Sequence, residues 1–185
     1  MVDYVFHTPE SAPEGARAML AGAKQKLGFV PNLYAGMANA PAALEAYLAL
    51  SGFFEKTSLT ATEKQVVWLA TSVENGCEFC VAAHSMIAKK MFGVDAATVD
   101  ALRAGSALTD GKLEALHNFT RAVVRERGWV ADSPALSQFL GAGYTPAQAL
   151  EVILGVTQKT LSNYANHLLK TPINAQFESE RWSKK

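Results

Sequence analysis

Cysteine is nearly absent. The 185-residue chain has two, and both lie in one C-x-x-C, Cys77-Glu78-Phe79-Cys80. So small a number excludes the disulfide framework that staples small secreted domains. Long apolar runs are missing too. No window approaches the roughly 18–20 unbroken apolar residues of a membrane span, so no membrane association is expected. The first residues, Met1 to Gly15, carry acids early and lack a basic segment followed by an apolar one. That pattern argues against a secretory leader and for a cytoplasmic protein. Nor does charge of one sign dominate: Lys plus Arg and Asp plus Glu both number 17, and the pI is about 6.9. Nucleic acid is therefore not expected as a partner, because counterion release needs a basic face. No low-complexity linker divides the chain. With 49% hydrophobic residues it reads as one domain over 1–185, with 1–13 as an extended arm.

Strand patterns are equally scarce. Only Val2-Asp3-Tyr4-Val5-Phe6 alternates, and it is too short for a sheet. Helical period is everywhere else. Residues 62–75 are apolar over most of the circumference, which suits a central helix. Leu113, Leu116, Thr120, Val123 and Val124 make a stripe over 110–127. Leu150, Ile153, Leu154, Thr157, Leu161, Tyr164 and Leu168 make a longer one over 146–169. Thr60-Ala-Thr-Glu63 and Thr145-Pro-Ala-Gln148 are capping boxes. Asn39-Ala-Pro41 and Asp132-Ser-Pro134 mark further helix starts, and Gly93, Gly105 and Gly128 mark stops. The expected fold is all-α, with about seven to nine helices. An internal echo pairs Thr60…Cys80-x-x-x-His84 with Thr145…Asn163-x-x-x-His167. It is either chance or a duplicated helical hairpin.

The chemistry concentrates in Asn75-Gly-Cys77-Glu-Phe-Cys80-Val-Ala-Ala-His84. Asn75-Gly76 breaks one helix and the next begins at or near Cys77. Unpaired amides at a helix start stabilise a thiolate, and thiols in such settings have pKa values of about 3.5–7.5. Cysteines three apart on a helix can close a disulfide without large backbone movement. His84, one turn beyond Cys80, can take the thiol proton or pair with the thiolate. The helix-end field favours ionising Cys77, while the histidine favours Cys80; the histidine decides for Cys80 as nucleophile. Three plainer readings stay open. The cysteines can be packed core residues; Cys77, Cys80 and His84 with one carboxylate can hold zinc; His84 can be a satisfied core histidine.

From Leu59 to His84 the pattern L-T-x-x-E-x-x-V-V-x-L-A-x-S-V-E-N-G-C-E-F-C-V-A-A-H resembles the alkylhydroperoxidase D (AhpD) family of the carboxymuconolactone decarboxylase superfamily. Asn163-Tyr-Ala-Asn-His167-Leu-Leu-Lys-Thr-Pro172 extends the likeness more weakly, and Leu27-Gly-Phe-Val-Pro-Asn32 resembles its peroxidase-related branch. The resemblance implies an all-helical thiol peroxidase with an antioxidant role, acting on small hydroperoxides. Cys80 would attack and Cys77 would resolve the sulfenic acid to a disulfide. It also implies a histidine, here His84, in a proton relay with an upstream glutamate. Further implied are no bound cofactor, electrons from a lipoyl group or another dithiol carrier, and a homo-oligomer, trimeric or hexameric. The relay acid of the family falls twelve residues before the first cysteine, where this chain has Gln65. An amide orients an imidazole but carries no proton. Glu63, roughly 200° around the helix from Gln65, and Glu74 are the candidate replacements, while Glu78 would raise a thiol pKa by repulsion. Asn163 and His167 are candidates to line the site; His7 and His117 have no chemical neighbours in sequence. The alternatives are lactone decarboxylation, which would leave the thiol pair idle, and a non-enzymatic redox-sensing or zinc-binding module.

Overall fold

Capping chemistry sets where the chain turns into helix. The computed structural model describes residues 3–184, so Val2 of the expected arm lies outside the described residues. Within them are nine α-helices: α1 (Glu14–Leu27), α2 (Asn32–Met37), α3 (Pro41–Glu55), α4 (Ala61–Glu74), α5 (Glu78–Met91), α6 (Ala96–Ala104), α7 (Gly111–Arg125), α8 (Pro134–Gly141) and α9 (Pro146–Leu169). A 3₁₀ turn, Ala175–Glu180, closes the chain. The Thr60 hydroxyl accepts from the Glu63 N–H at 3.2 Å, and the Glu63 carboxylate accepts from the Thr60 N–H at 2.7 Å. Thr145 and Gln148 repeat the arrangement at the head of α9. Pro41 and Pro134 occupy first helical positions, where a missing N–H costs nothing. Gly93, Gly105 and Gly128 take positive φ just past their helices.

α4 is the central helix: everything from Gln65 to Ser72 is buried. Around its outer part, α6, α7, α8 and the first half of α9 close an apolar cluster with Val66, Val67, Leu116, Phe119, Phe139 and Val152. A second cluster joins α1, α2, α3 and the start of α5 through Leu20, Leu33, Leu44, Tyr47, Phe79 and Phe177. Full burial of each such side chain contributes about 1.5–3 kcal/mol. The Leu27–Asn32 stretch reaches this second cluster: Phe29 packs edge-on to Phe177, and Phe177 to Phe79. Asn32 holds the chain beyond α9, its Nδ2 donating to the Pro172 carbonyl at 2.9 Å. Ahead of α1 the chain is tied down, His7 N–H donating to Ala35 O and Asn39 Nδ2 to Val5 O, and it turns at 9–12, where Ala12 N–H donates to Thr8 O. No helix among the described residues is long and apolar enough to cross a membrane.

α9 departs from the sequence pattern. Its apolar stripe divides: Ile153, Leu154 and Leu161 pack at the edges of the two cores, while Leu150 is 72%, Tyr164 61% and Leu168 67% exposed. The buried face is Val152, Gly155, Gln158, Lys159, Ser162, Asn163 and Asn166, mostly polar. The internal echo also dissolves. Thr60 leads into a helix that breaks at Asn75-Gly76, whereas Thr145 leads into one unbroken helix through His167. A duplicated hairpin would have broken both. α9 comes close to α3 and α4 at Gly155, where an added Cβ would stand 2.6 Å from Phe54 and 2.8 Å from Val67. Helix propensity alone makes Gly→Ala stabilising by about 1 kcal/mol. Here Gly155→Ala is expected to destabilise instead, by about 1–3 kcal/mol, as overpacking does. Urea denaturation reads the sign.

Candidate active site

The thiols stand where α4 turns into α5. Gly76 takes a φ of 68°, and the Cys77 N–H bonds back to the Ser72 carbonyl at 2.9 Å. Cys77 is the N-cap of α5 and Cys80 its third residue, so the unpaired first-turn amides lie beside the pair. Both thiols are free and buried, with 1% and 2% exposure.

α9 supplies what surrounds them. Asn166 Nδ2 donates to Cys80 Sγ at 3.2 Å and reaches Cys77 Sγ at 3.7 Å. Ser162 Oγ lies 3.8 Å from Cys80 Sγ and donates to the Lys159 carbonyl at 2.9 Å. Lys159 is 1% exposed. Its Nζ is 2.7 Å from His84 Nε2 and lies over the Trp68 ring, 5.4 Å from the centroid. His84 Nδ1 is 3.1 Å from Gln65 Oε1. A carbonyl oxygen only accepts, so the network assigns the imidazole proton to Nδ1 and turns the Nε2 lone pair to Lys159. Both ring nitrogens are committed, and neither hydrogen-bonds a thiol.

Electrostatics separate the two sulfurs. Burial pushes the Cys80 thiol up, but a hydrogen bond from Cys77 and then the charge of Lys159 outweigh it and bring it down to about 6. Cys77 moves the other way, raised first by its hydrogen bond to Cys80 and then by burial. Burial, and next the Lys159 charge, hold His84 well below the usual imidazole range, so it is neutral. Burial also lowers Lys159, while negative charge at Cys80 and Cys77 pulls it back up.

The candidate acids lie elsewhere. Glu63 completes its capping box and pairs with Lys112 at 3.3 Å. Glu74 accepts from Arg121 and Arg125, each at 2.7 Å. Neither bonds His84 or a thiol, because each is engaged by cations on α7. Gln65 sits behind His84, at the position the family gives its acid. Asn163 pins α9 to the end of α4, accepting from Asn75 Nδ2 at 2.9 Å and donating to Ser72 Oγ. His167 does not join the buried cluster; it lines an open cleft of about 360 Å³ with Gly76, Cys77, Asn166, Lys170 and Thr171. His7 bonds Ser11, and His117 approaches Glu114, both away from the thiols. Among the described residues no three His, Cys, Asp or Glu side chains group to hold a metal ion, so Cys77, Cys80, His84 and a carboxylate do not converge as zinc ligands.

Sequence reasoning missed Lys159, Ser162 and Asn166. The signal was present: Gln158-Lys159, Ser162-Asn163 and Asn166 recur at helical spacing beside the apolar stripe.

Residues 38–126 match the model of the carboxymuconolactone decarboxylase family. Over that stretch, just under half of the chain, the sequence resembles that family, and the whole fold is AhpD-like. A peroxidase-related protein from Ralstonia eutropha, solved as an alkylhydroperoxidase AhpD core, has a TM-score of 0.83 at 22% identity, covering 94% of this chain and 93% of that one. A peroxidase-related protein from Silicibacter sp. TM1040 has a TM-score of 0.81 at 17% identity, covering 97% and 94%. The debrominase Bmp8 has a TM-score of 0.78 at 18% identity, covering 97% and 96%. A cysteine-to-alanine variant of Bmp8 was solved with 2,3,4-tribromopyrrole. No curated protein matches in sequence. The thiol site makes a direct prediction. Iodoacetamide labelling of the reduced protein should rise through a midpoint near pH 6, and Cys80→Ser should abolish that phase. Glu63→Gln and Glu74→Gln should leave the midpoint in place; a shift in either would put its carboxylate in the site.

Proposed function

We propose that the chain is a two-thiol oxidoreductase that reduces small hydroperoxides, with Cys80 attacking and Cys77 resolving. The asymmetry of the pair carries this reading: one buried thiol is held as a thiolate near neutral pH while its neighbour keeps its proton. The thiolate is the nucleophile, and a protonated neighbour in hydrogen-bond contact is placed to condense with the sulfenic acid. Overall, hydroperoxide and two thiols become alcohol, water and a disulfide.

Reduction of that disulfide by an external dithiol, such as a lipoyl group, fits the same asymmetry. The cleft reaches Cys77, the sulfur a reductant would attack, and leaves Cys80 as the lower-pKa leaving thiolate, the faster direction of exchange. No bound cofactor is required. The outward stripe of Leu150, Tyr164 and Leu168 supports self-association through α9 as a trimer or hexamer. The likeness to the debrominase supports a second reading, in which the Cys80 thiolate takes bromine from a bromopyrrole instead of oxygen from a peroxide.

The test is direct. One equivalent of an alkyl hydroperoxide should consume both thiols, and mass spectrometry should show loss of two hydrogens with no covalent dimer. Cys77→Ser should yield a sulfenic acid that dimedone traps, whereas Cys80→Ser should stay inert. A dimedone adduct on Cys80→Ser would hand the attacking role to Cys77. Wild-type protein that ignores hydroperoxide yet releases bromide from 2,3,4-tribromopyrrole would replace the first reading by the second.

A further inference from the structure

We propose that Lys159 is the acid–base group of the thiol cycle, giving one proton to the leaving oxygen and taking another from Cys77, while His84 and Gln65 position its amine. The proton-transfer part rests on the peroxidase reading above; the thiolate-stabilising part does not.

Geometry places the amine. α5 and α9 cross so that Cys80 meets Ser162 and Asn166, and one turn along, His84 meets Lys159. A helical turn advances about 5.4 Å. The leaving oxygen of a peroxide attacked by Cys80 lies beyond the oxygen the sulfur takes, within that span. The groups facing this space are few. His84 is neutral, with both nitrogens engaged. Tyr47, from α3, is buried; burial first, then the neighbouring Tyr34 and Cys80 charges, push its phenol well above its usual range, so it keeps its proton. Ser162 spends its hydroxyl proton on the Lys159 carbonyl. Gln65 and Trp68, from α4, do not titrate. No carboxylate among the described residues pairs with Lys159, so the negative charge of the Cys80 thiolate is what holds its proton. That charge vanishes during the reaction, which lets the amine give the proton up.

The steps balance. The Cys80 thiolate forms an S–O bond to the terminal peroxide oxygen, the O–O bond breaks, and the alkoxide takes a proton from the Lys159 ammonium as alcohol. The neutral amine then takes the Cys77 proton. Cys77 sulfur bonds Cys80 sulfur, the S–O bond breaks, and hydroxide recovers that proton as water. The peroxide gains two electrons, the dithiol loses two, and Lys159 ends neutral.

Lys159→Met keeps the length, and the Cys80 thiol can take a proton once the ammonium is gone, so a folded protein is expected by circular dichroism. Its iodoacetamide midpoint should rise by about one pH unit or more, and hydroperoxide turnover at neutral pH should fall about 10²–10⁴-fold. Lys159→Arg keeps the charge but not a transferable proton, so its midpoint should stay near wild type while turnover remains low. In Lys159→Met, adding Gln65→Glu should draw a proton onto His84 and restore part of both readouts. An unchanged midpoint in folded Lys159→Met overturns the proposal, as does wild-type turnover in Lys159→Arg. Wild-type protein inert to hydroperoxide would remove the peroxidase reading and with it the proton transfer; the alkylation midpoint still decides whether Lys159 makes the thiolate.

Discussion

A lysine ammonium with 1% exposure needs a counter-charge, and no carboxylate among the described residues provides one. Removing one partner of a buried ion pair leaves an uncompensated charge, at a cost of about 3–5 kcal/mol. Lys159 and the Cys80 thiolate are therefore mutually dependent: the thiolate favours the ammonium, and the ammonium favours the thiolate. The rest of the site follows from that pair. Asn166 points an amide hydrogen at the sulfur, and His84 accepts from the amine on its far side. Gln65 holds His84 in the tautomer that can accept.

The helices are arranged to keep this pair dry and in register. Gly155 lets α9 lie against Phe54 and Val67, and Trp68 stands over both the Lys159 amine and the His84 ring, the two rings 5.0 Å apart. An ammonium over an indole face gains cation–π attraction, worth more when desolvated. Asn163 fastens the middle of α9 to Asn75 and Ser72, at the turn that launches the thiol helix. A shift of α9 would move the amine, the Asn166 donor and the thiol turn together. Packing and chemistry share one set of contacts.

That sharing explains what the sequence disclosed. The thiol turn was legible because its cause is local: Asn75-Gly76 stops one helix, and C-x-x-C starts the next. The capping boxes of α4 and α9 were legible for the same reason, since each bond lies within four residues. The face that α9 buries is set instead by what it packs against. Apolar periodicity pointed to a stripe from Leu150 to Leu168, yet the thiol site takes the polar side, and of that stripe Leu150, Tyr164 and Leu168 are left outside. Glu63 was a candidate because it lies two residues from Gln65 in sequence, and Glu74 because it stands just before the Asn75-Gly76 break. Lys112, Arg121 and Arg125, all on α7, neutralise them in space. Gln65 was the useful anomaly. An amide where the family carries an acid changes the charge on the histidine, and a site without that anion needs its cation from another helix.

Charge balance carries the last step. A carboxylate at position 65 would favour an imidazolium, giving a neutral acid–histidine pair and no role for a second cation. With Gln65 the imidazole stays neutral, and neutrality has to come from Lys159 and Cys80. In the proposed cycle the reduced site holds a thiolate and an ammonium, and the oxidised site holds a disulfide and a neutral amine. Its net charge is zero in both. A dry site that changed charge on oxidation would oppose the electron transfer with the full desolvation penalty of an unpaired ion. Moving one proton on and off a buried amine avoids that penalty. On this account the burial that depresses Lys159 is part of the chemistry: a solvated lysine would keep its proton through every step.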